Sequence, residues 1–159
     1  GFVTMVAANY LKPKESPDAW VVEVVNTMKM GDCDKLEKLL TSFFASIPYS
    51  QRRKDDEREK ERYFQYTFYL VIRMISSFTV LIEKEQSEGR VDCIIETPMF
   101  VYIFEFKRDG SATEALKQIE EKGYAREYAT DNRTIYLIGC NFSSKTGTID
   151  DWKSKGKSV

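Results

Sequence analysis

Residues 90–107 read RVDCIIETPMFVYIFEFK, and the fold turns on how they pair. Two runs rich in β-branched and aromatic residues flank Thr97-Pro98-Met99, a turn signal. RVDCIIE (90–96) and VYIFEFK (101–107) are therefore predicted strands of one hairpin. Alternation in the second strand puts Glu105 and Lys107 on one face with Val101 and Ile103. Tyr102, Phe104 and Phe106 take the other face. An acid and a lysine then stand on an otherwise apolar surface, where burying charge without a use for it is costly. A hairpin centred between Pro98 and Met99 pairs residues whose numbers sum to 197. That sets Asp92 across from Glu105, with Cβ atoms ~5 Å apart. Two like charges at that spacing require a raised pKa, a bridging lysine or a bound divalent cation. Lys107 is one ladder step away, so Asp92, Glu105 and Lys107 form a small site for a hard cation and an activated water.

Working outward, TVLIEKEQ (79–86) is a further strand, joined through a Ser-Glu-Gly turn. Glu83 and Glu85 share one face of it, and the plain reading of that face is solvent exposure. Ser111 to about Tyr128 is predicted helical, with Ala112, Ala115, Leu116 and Ile119 on one face. TIYLIGCNF (134–142) is a continuous apolar run, as expected of a strand buried on both faces. From Ser143 the tail is polar and is expected to fray. Towards the N-terminus, Ser16-Pro17-Asp18 marks a helix start. Trp20, Val21, Val24, Val25 and Met28 follow at helical spacing. Gly31 stops this helix and Asp32 can cap the next, whose stripe is Leu36, Leu39, Leu40, Phe43 and Phe44. Residues 52–62, RRKDDEREKER, carry six basic and five acidic side chains. A solvated helical lead-in is the plain reading, and a phosphate-contacting patch of Arg52, Arg53 and Lys54 the sharper one. The helix continues through Tyr63, Phe64, Phe68, Val71, Ile72 and Ile75 and should lie against a sheet.

The fold class is therefore α/β. An α-β-β-β-α-β core with a mixed sheet is preceded by a helical hairpin. Residues 1–50 form the helical extension packed on the core, and residues 51–159 the core domain.

Composition narrows the chemistry. A chain of 159 residues carries one domain as a first expectation. Lys+Arg is 24 against Asp+Glu 25, and this balance argues against a nucleic-acid coat or a membrane-surface protein. There are 0 histidines, which removes Ser-His-Asp and Cys-His catalysis and His-ligated zinc. Any metal must lean on carboxylates, carbonyls and water, which suits Mg²⁺, Mn²⁺ or Ca²⁺. The cysteines, Cys33, Cys93 and Cys140, are far apart and form no CxxC pair. They read as reduced thiols of a cytoplasmic protein, filling space as small apolar residues. No run of ~18 apolar residues predicts a membrane span. The first residues lack the basic n-region of a secretory signal, and Gly1 ahead of Phe2 reads as a cloning remnant of a longer natural chain.

Asp92, twelve intervening residues and Glu105-x-Lys107, set on a hairpin within α-β-β-β-α-β, resemble the PD-(D/E)XK nuclease superfamily. Gln118-Ile119 and Tyr124 look like its Gln…Tyr element. SFFASIPYS, EGRVDCIIET, VYIFEFKRDGSATEALKQIEEKGYA, IYLIGCNFSS and IDDW look closer still to one bacterial branch, found C-terminal to an AAA-type ATPase-like domain. The resemblance covers roughly residues 26–153. It departs from the superfamily pattern at Val91, where a proline is usual, and in the long Gln-to-Tyr spacing. Six helical positions set Gln118 and Tyr124 about 120° apart, so Tyr124 reads as a packing residue.

The resemblance implies a restriction-endonuclease-like fold and metal-dependent phosphodiester hydrolysis with Mg²⁺ or Mn²⁺. Asp92 and Glu105 would bind the metal, and the Phe106 carbonyl would complete its sphere. Lys107 would orient the attacking water, and Gln118 would touch the water or the scissile phosphate. A fourth carboxylate from the preceding helix would be Glu61, with Glu57 and Glu59 competing. Arg52, Arg53, Lys54, Arg90, Arg108, Lys117 and Lys122 are the candidate phosphate contacts. The implied partners are nucleic acid, with DNA the expected form, a second copy of the chain as a homodimer, and an N-terminal ATPase-like domain. Two other readings stay open: a catalytically silent interaction module of an ATPase-like protein, and an ordinary surface ion pair of Glu105 with Lys107.

Overall fold

Pro17 opens helix α1 (Pro17–Met30), where a missing N–H costs nothing. The computed structural model describes residues 17–46, 79–86 and 89–157. Gly31 ends α1 with φ 73°, and its lack of a side chain serves a second purpose. A Cβ there would meet the Phe100 ring at 2.5 Å. Asp32 then accepts from Lys35 N at 3.0 Å and caps helix α2 (Cys33–Ser46). Trp20, Val24 and Met28 of α1 and Leu36, Leu40 and Phe43 of α2 are buried together. Trp20 and Phe43 stack at 4.8 Å between centroids, which joins the two helices. The expected hairpin is present. The charged run and the helix expected through Ile75 lie outside the described residues.

Five strands form one sheet in the order β1-β2-β3-β4-β5. They are β1 (Thr79–Gln86), β2 (Gly89–Glu96), β3 (Phe100–Arg108), β4 (Thr134–Ser143) and β5 (Thr148–Lys157). The pairs β1–β2, β2–β3 and β4–β5 are antiparallel, and β3–β4 is parallel. The sheet is therefore mixed, as expected. A parallel pair needs a crossover, and helix α3 (Ala112–Glu121) supplies it. The β2–β3 register pairs Cys93 with Phe104, Ile94 with Ile103, Ile95 with Tyr102 and Glu96 with Val101. Each pair sums to 197. Thr97 N donates to Phe100 O at 2.8 Å, closing the turn over Pro98 and Met99.

The two sheet faces bury different partners. Tyr102, Phe104, Phe106, Ile138, Cys140 and Phe142 pack with α1 and α2. The Tyr102 hydroxyl donates to Met28 O at 2.6 Å within this layer. Val101, Ile103, Ile135 and Leu137 pack with Ile119 and Leu116 of α3. Strand β4 is buried along most of its length, which accounts for its unbroken apolar run.

Two expectations need correction. The tail after Ser143 does not fray: it returns as β5, antiparallel to β4 from Ser143↔Thr148 to Ile135↔Lys157. Gly147, at φ 70°, makes the reversal, and buried Ile149 and half-buried Trp152 anchor the strand in the α1–α2 layer. Its exposed lysines fit the edge of a sheet. The helix expected to reach Tyr128 stops at Glu121. Gly123 adopts φ 64°, and a separate 3₁₀ turn, Tyr124–Tyr128, follows. Ala125 and Tyr128 of that turn still reach the α3 layer, so the apolar pattern continued past the helix end.

Candidate active site

Glu105 lies on the α3 face of β3 and is 5% exposed, with Oε2 withdrawn from solvent. Its partner on β4 is Gly139. A Cβ at Gly139 would overlap Ala112 O and sit 2.8 Å from Leu116 N. The absent side chain therefore lets the α3 backbone close directly over the Glu105 rung. Lys107, half-buried, follows on the same face and donates from Nζ to Gln118 Oε1 of α3. An ammonium has three donors, of which Gln118 takes one. The structure thus sets Glu105 and Lys107 on the strand face that α3 covers, with Gln118 of α3 bonding the lysine.

Asp92 belongs to β2, and its side chain lies outside the described residues. The β2–β3 pairing runs as far as Cys93↔Phe104, the rung next to position 92. The Phe106 side chain goes to the opposite face, so only its backbone is available beside Glu105. Glu61, Glu57 and Glu59, and the side chains of Glu83 and Glu85, lie outside the described residues. So do Arg52, Arg53, Lys54 and the Arg90 side chain. Arg108 is half-buried at the end of β3. Lys117 is exposed and faces Glu121 at 3.7 Å. Lys122 closes the C-terminus of α3, its N–H bonding Gln118 O at 3.1 Å. Tyr124 begins the 3₁₀ turn, and its side chain lies outside the described residues. The angular relation expected between it and Gln118 assumed one continuous helix, which Gly123 interrupts.

The donor chemistry here suits a hard cation. A buried carboxylate is at hand, and the thiols are not. Cys93 and Cys140 pack on the other face, with α1 and α2. Burial pushes the Cys140 thiol well above its ordinary range and that of Cys33 up to about 12. All three cysteines are buried free thiols, as their spacing suggested. Among the described residues no group of three Asp, Glu or Cys side chains is close enough to hold a metal.

The chain after Lys107 is held by residues that the sequence reading passed over. Asp109 takes φ 51°, a left-handed conformation that asparagine and aspartate tolerate better than most residues. Its carboxylate accepts from Ser144 N at 2.9 Å and Ser144 Oγ at 2.6 Å, which holds its pKa below the usual range. Asn141, 3% exposed, accepts from Gly110 N at 2.9 Å and donates from Nδ2 to Asp150 Oδ1 at 2.8 Å. Asp151 Oδ2 accepts from Ala112 N at 2.9 Å, and Ser111 Oγ from Glu114 N at 3.1 Å. Helix α3 is therefore capped from β5 as well as by its own N-cap. A lone asparagine inside the apolar run 134–142 was the available clue, together with the adjacent acids of IDDW.

A profile of the PD-(D/E)XK nuclease superfamily matches residues 59–152. A protein of Azotobacter chroococcum mcd 1, described as an uncharacterized protein in the vnfD 5′ region, is 32% identical over 129 residues. The match covers 80% of this chain but spans only 25% of that relative's length. No solved structure matches the chain.

Proposed function

The chain belongs to the PD-(D/E)XK nuclease superfamily, and from that premise we propose that it is a metal-dependent nuclease hydrolysing phosphodiester bonds. One observation carries the proposal. Buried Glu105 and half-buried Lys107 share the face that α3 covers, and Gln118 of α3 bonds the lysine ammonium. The Asp92 and Glu105 carboxylates and the Phe106 carbonyl would hold the metal, with Glu61 as the further carboxylate. Bound there, Mg²⁺ or Mn²⁺ supplies Lewis acidity toward a phosphoryl oxygen and lowers the pKa of water. Lys107 orients the attacking water and offsets the negative charge that develops on the phosphate. Gln118 holds the ammonium in place, which limits the rotamers a free lysine would sample. Closure by α3 keeps bulk water from the Glu105 side of the sheet, and charge interactions there are stronger than in solvent.

The proposed substrate is nucleic acid, DNA in the first instance. Cutting both strands of a duplex takes two such sites, which supports a homodimer. The three free thiols support a reducing, cytoplasmic setting. Among the described residues no helix is long and apolar enough to cross a membrane. The Azotobacter relative has three quarters of its length outside the match, room for the ATPase-like half that the resemblance implies.

Net charge −1 favours a second reading, an interaction module without activity, because strong backbone binding usually needs a basic face. Incubation with plasmid, single-stranded DNA and structured RNA in Mg²⁺, Mn²⁺ or EDTA separates the two. Metal-dependent cleavage that Lys107→Ala abolishes supports the nuclease. Intact substrates under every metal overturn it in favour of the module.

A further inference from the structure

We propose that Asn141 is a positioning residue for Lys107. On the parallel β3–β4 ladder it stands opposite Lys107, one alternation step beyond the Glu105↔Gly139 rung. It is 3% exposed, and both ends of its amide are used, by Gly110 N and by Asp150 Oδ1. Gly110 lies three residues after Lys107, and the chain there folds back on the lysine stem. A Cβ built on Gly110 would be 3.5 Å from Lys107 Cβ and 3.8 Å from Asn141 Oδ1. The Asn141 carbonyl therefore holds the Gly110 backbone against the root of the lysine, while Gln118 holds its tip.

The turn between them is fixed independently. Asp109 N donates to Phe142 O at 2.9 Å, and its carboxylate takes both Ser144 donors. Asp150, which anchors the Asn141 amide, is followed by Asp151, which caps α3 through Ala112 N. One stretch of β5 thus sets both the asparagine at the stem and the helix that carries Gln118. A side chain confined at both ends presents its ammonium in one place, and misplacing such a group costs rate more than binding.

The inference rests on the nuclease reading only where it gives Lys107 a role in hydrolysis. Limited acetylation with peptide mass spectrometry tests the positioning without any activity. Exposed Lys117 serves as the internal reference. In Asn141→Ala the labelling of Lys107 relative to Lys117 should rise about fivefold or more. Asn141→Asp combined with Asp150→Asn exchanges donor and acceptor across the same contact and should return the ratio to within twofold of wild type. An unchanged ratio in folded Asn141→Ala, or a double variant that labels like it, overturns the proposal. Should Asn141→Ala fail to fold, Asp150→Ala decides, since it removes the amide's outer anchor from an exposed position. A twofold rise supports the proposal and an unchanged ratio overturns it. In cleavage assays Asn141→Ala should lower kcat at least tenfold with KM within threefold. Wild-type protein that cleaves nothing sinks the nuclease reading alone, and the labelling ratio still decides this one.

Discussion

Gly139 stands opposite Glu105 on the parallel β3–β4 ladder, and the backbone of α3 closes over it. A side chain at 139 has nowhere to go, because its nearest neighbours are Ala112 O and Leu116 N, both main-chain atoms. Helix α3 would have to lift, and it carries Gln118. Gly139→Ala should destabilise the fold by about 1–3 kcal/mol, the range of overpacking in a tight interior. Urea titration followed by circular dichroism measures this. A variant as stable as wild type would mean that α3 does not rest on the Glu105 rung.

Lys107 and Gln118 meet across the strand–helix interface, and their variants should differ in kind. Lys107→Ala removes the charge and should lower cleavage by about 100-fold or more. Gln118→Ala leaves the charge and frees its position, so a loss of about tenfold is expected, mostly in kcat. Metal affinity should change little in either. Single-turnover cleavage beside calorimetric Mn²⁺ titration checks both. Equal losses in the two variants would argue that Gln118 touches the substrate itself and does more than hold the lysine.

Carboxylate variants should show the reverse pattern. Glu105→Gln keeps the shape of a buried side chain and removes the charge a hard cation requires. Its Mn²⁺ affinity should fall about tenfold or more, with a similar fall in Asp92→Ala. Isothermal titration of the two against wild type measures this. Affinity unchanged in both would remove the metal from this pair, whatever the cleavage assay reports.

How much of this could be read from the sequence depended on what each signal encoded. Alternation and the Thr97-Pro98-Met99 turn set the β2–β3 register, because a hairpin centred between Pro98 and Met99 pairs residues whose numbers sum to 197, as Cys93↔Phe104 and Ile94↔Ile103 do. The same logic put Glu105 and Lys107 on one face and Phe106 on the other. The α1–α2 break at Gly31-Asp32 was legible from capping chemistry alone. The tail was not, because β5 is an edge strand: Lys153 and Lys155 face solvent, and only Ile149 and Trp152 record its packing. The end of α3 was missed because Ala125 and Tyr128 kept the apolar pattern going after Gly123 had ended the helix. Asn141 was hidden inside an apolar run, since its partners, Gly110 and Asp150, become neighbours only when β3, β4 and β5 are side by side.

Far from the site, Arg133 ties the start of β4 to the β2–β3 turn. It bonds Asp131 at 2.6 Å, Glu96 at 2.7 Å and Thr97 O at 3.1 Å. Hydrogen bonds from the Arg133 side chain and backbone hold the Asp131 carboxyl down to about 2, below its ordinary value of about 3.9. The charged form is therefore the one the fold favours. Its contribution is complete above about pH 4 and disappears as the pH falls through about 2. The groups are about one quarter exposed, so the contribution is screened and should be about 1 kcal/mol. Asp131→Asn keeps an acceptor for Arg133 and removes the charge. Wild type should exceed it in stability by that amount at pH 6, and the gap should close between pH 4 and pH 2. Denaturant midpoints measured across this range check the sign. A gap that is constant with pH would show that the carboxylate charge adds nothing to the clamp and that Arg133 acts through its neutral hydrogen bonds.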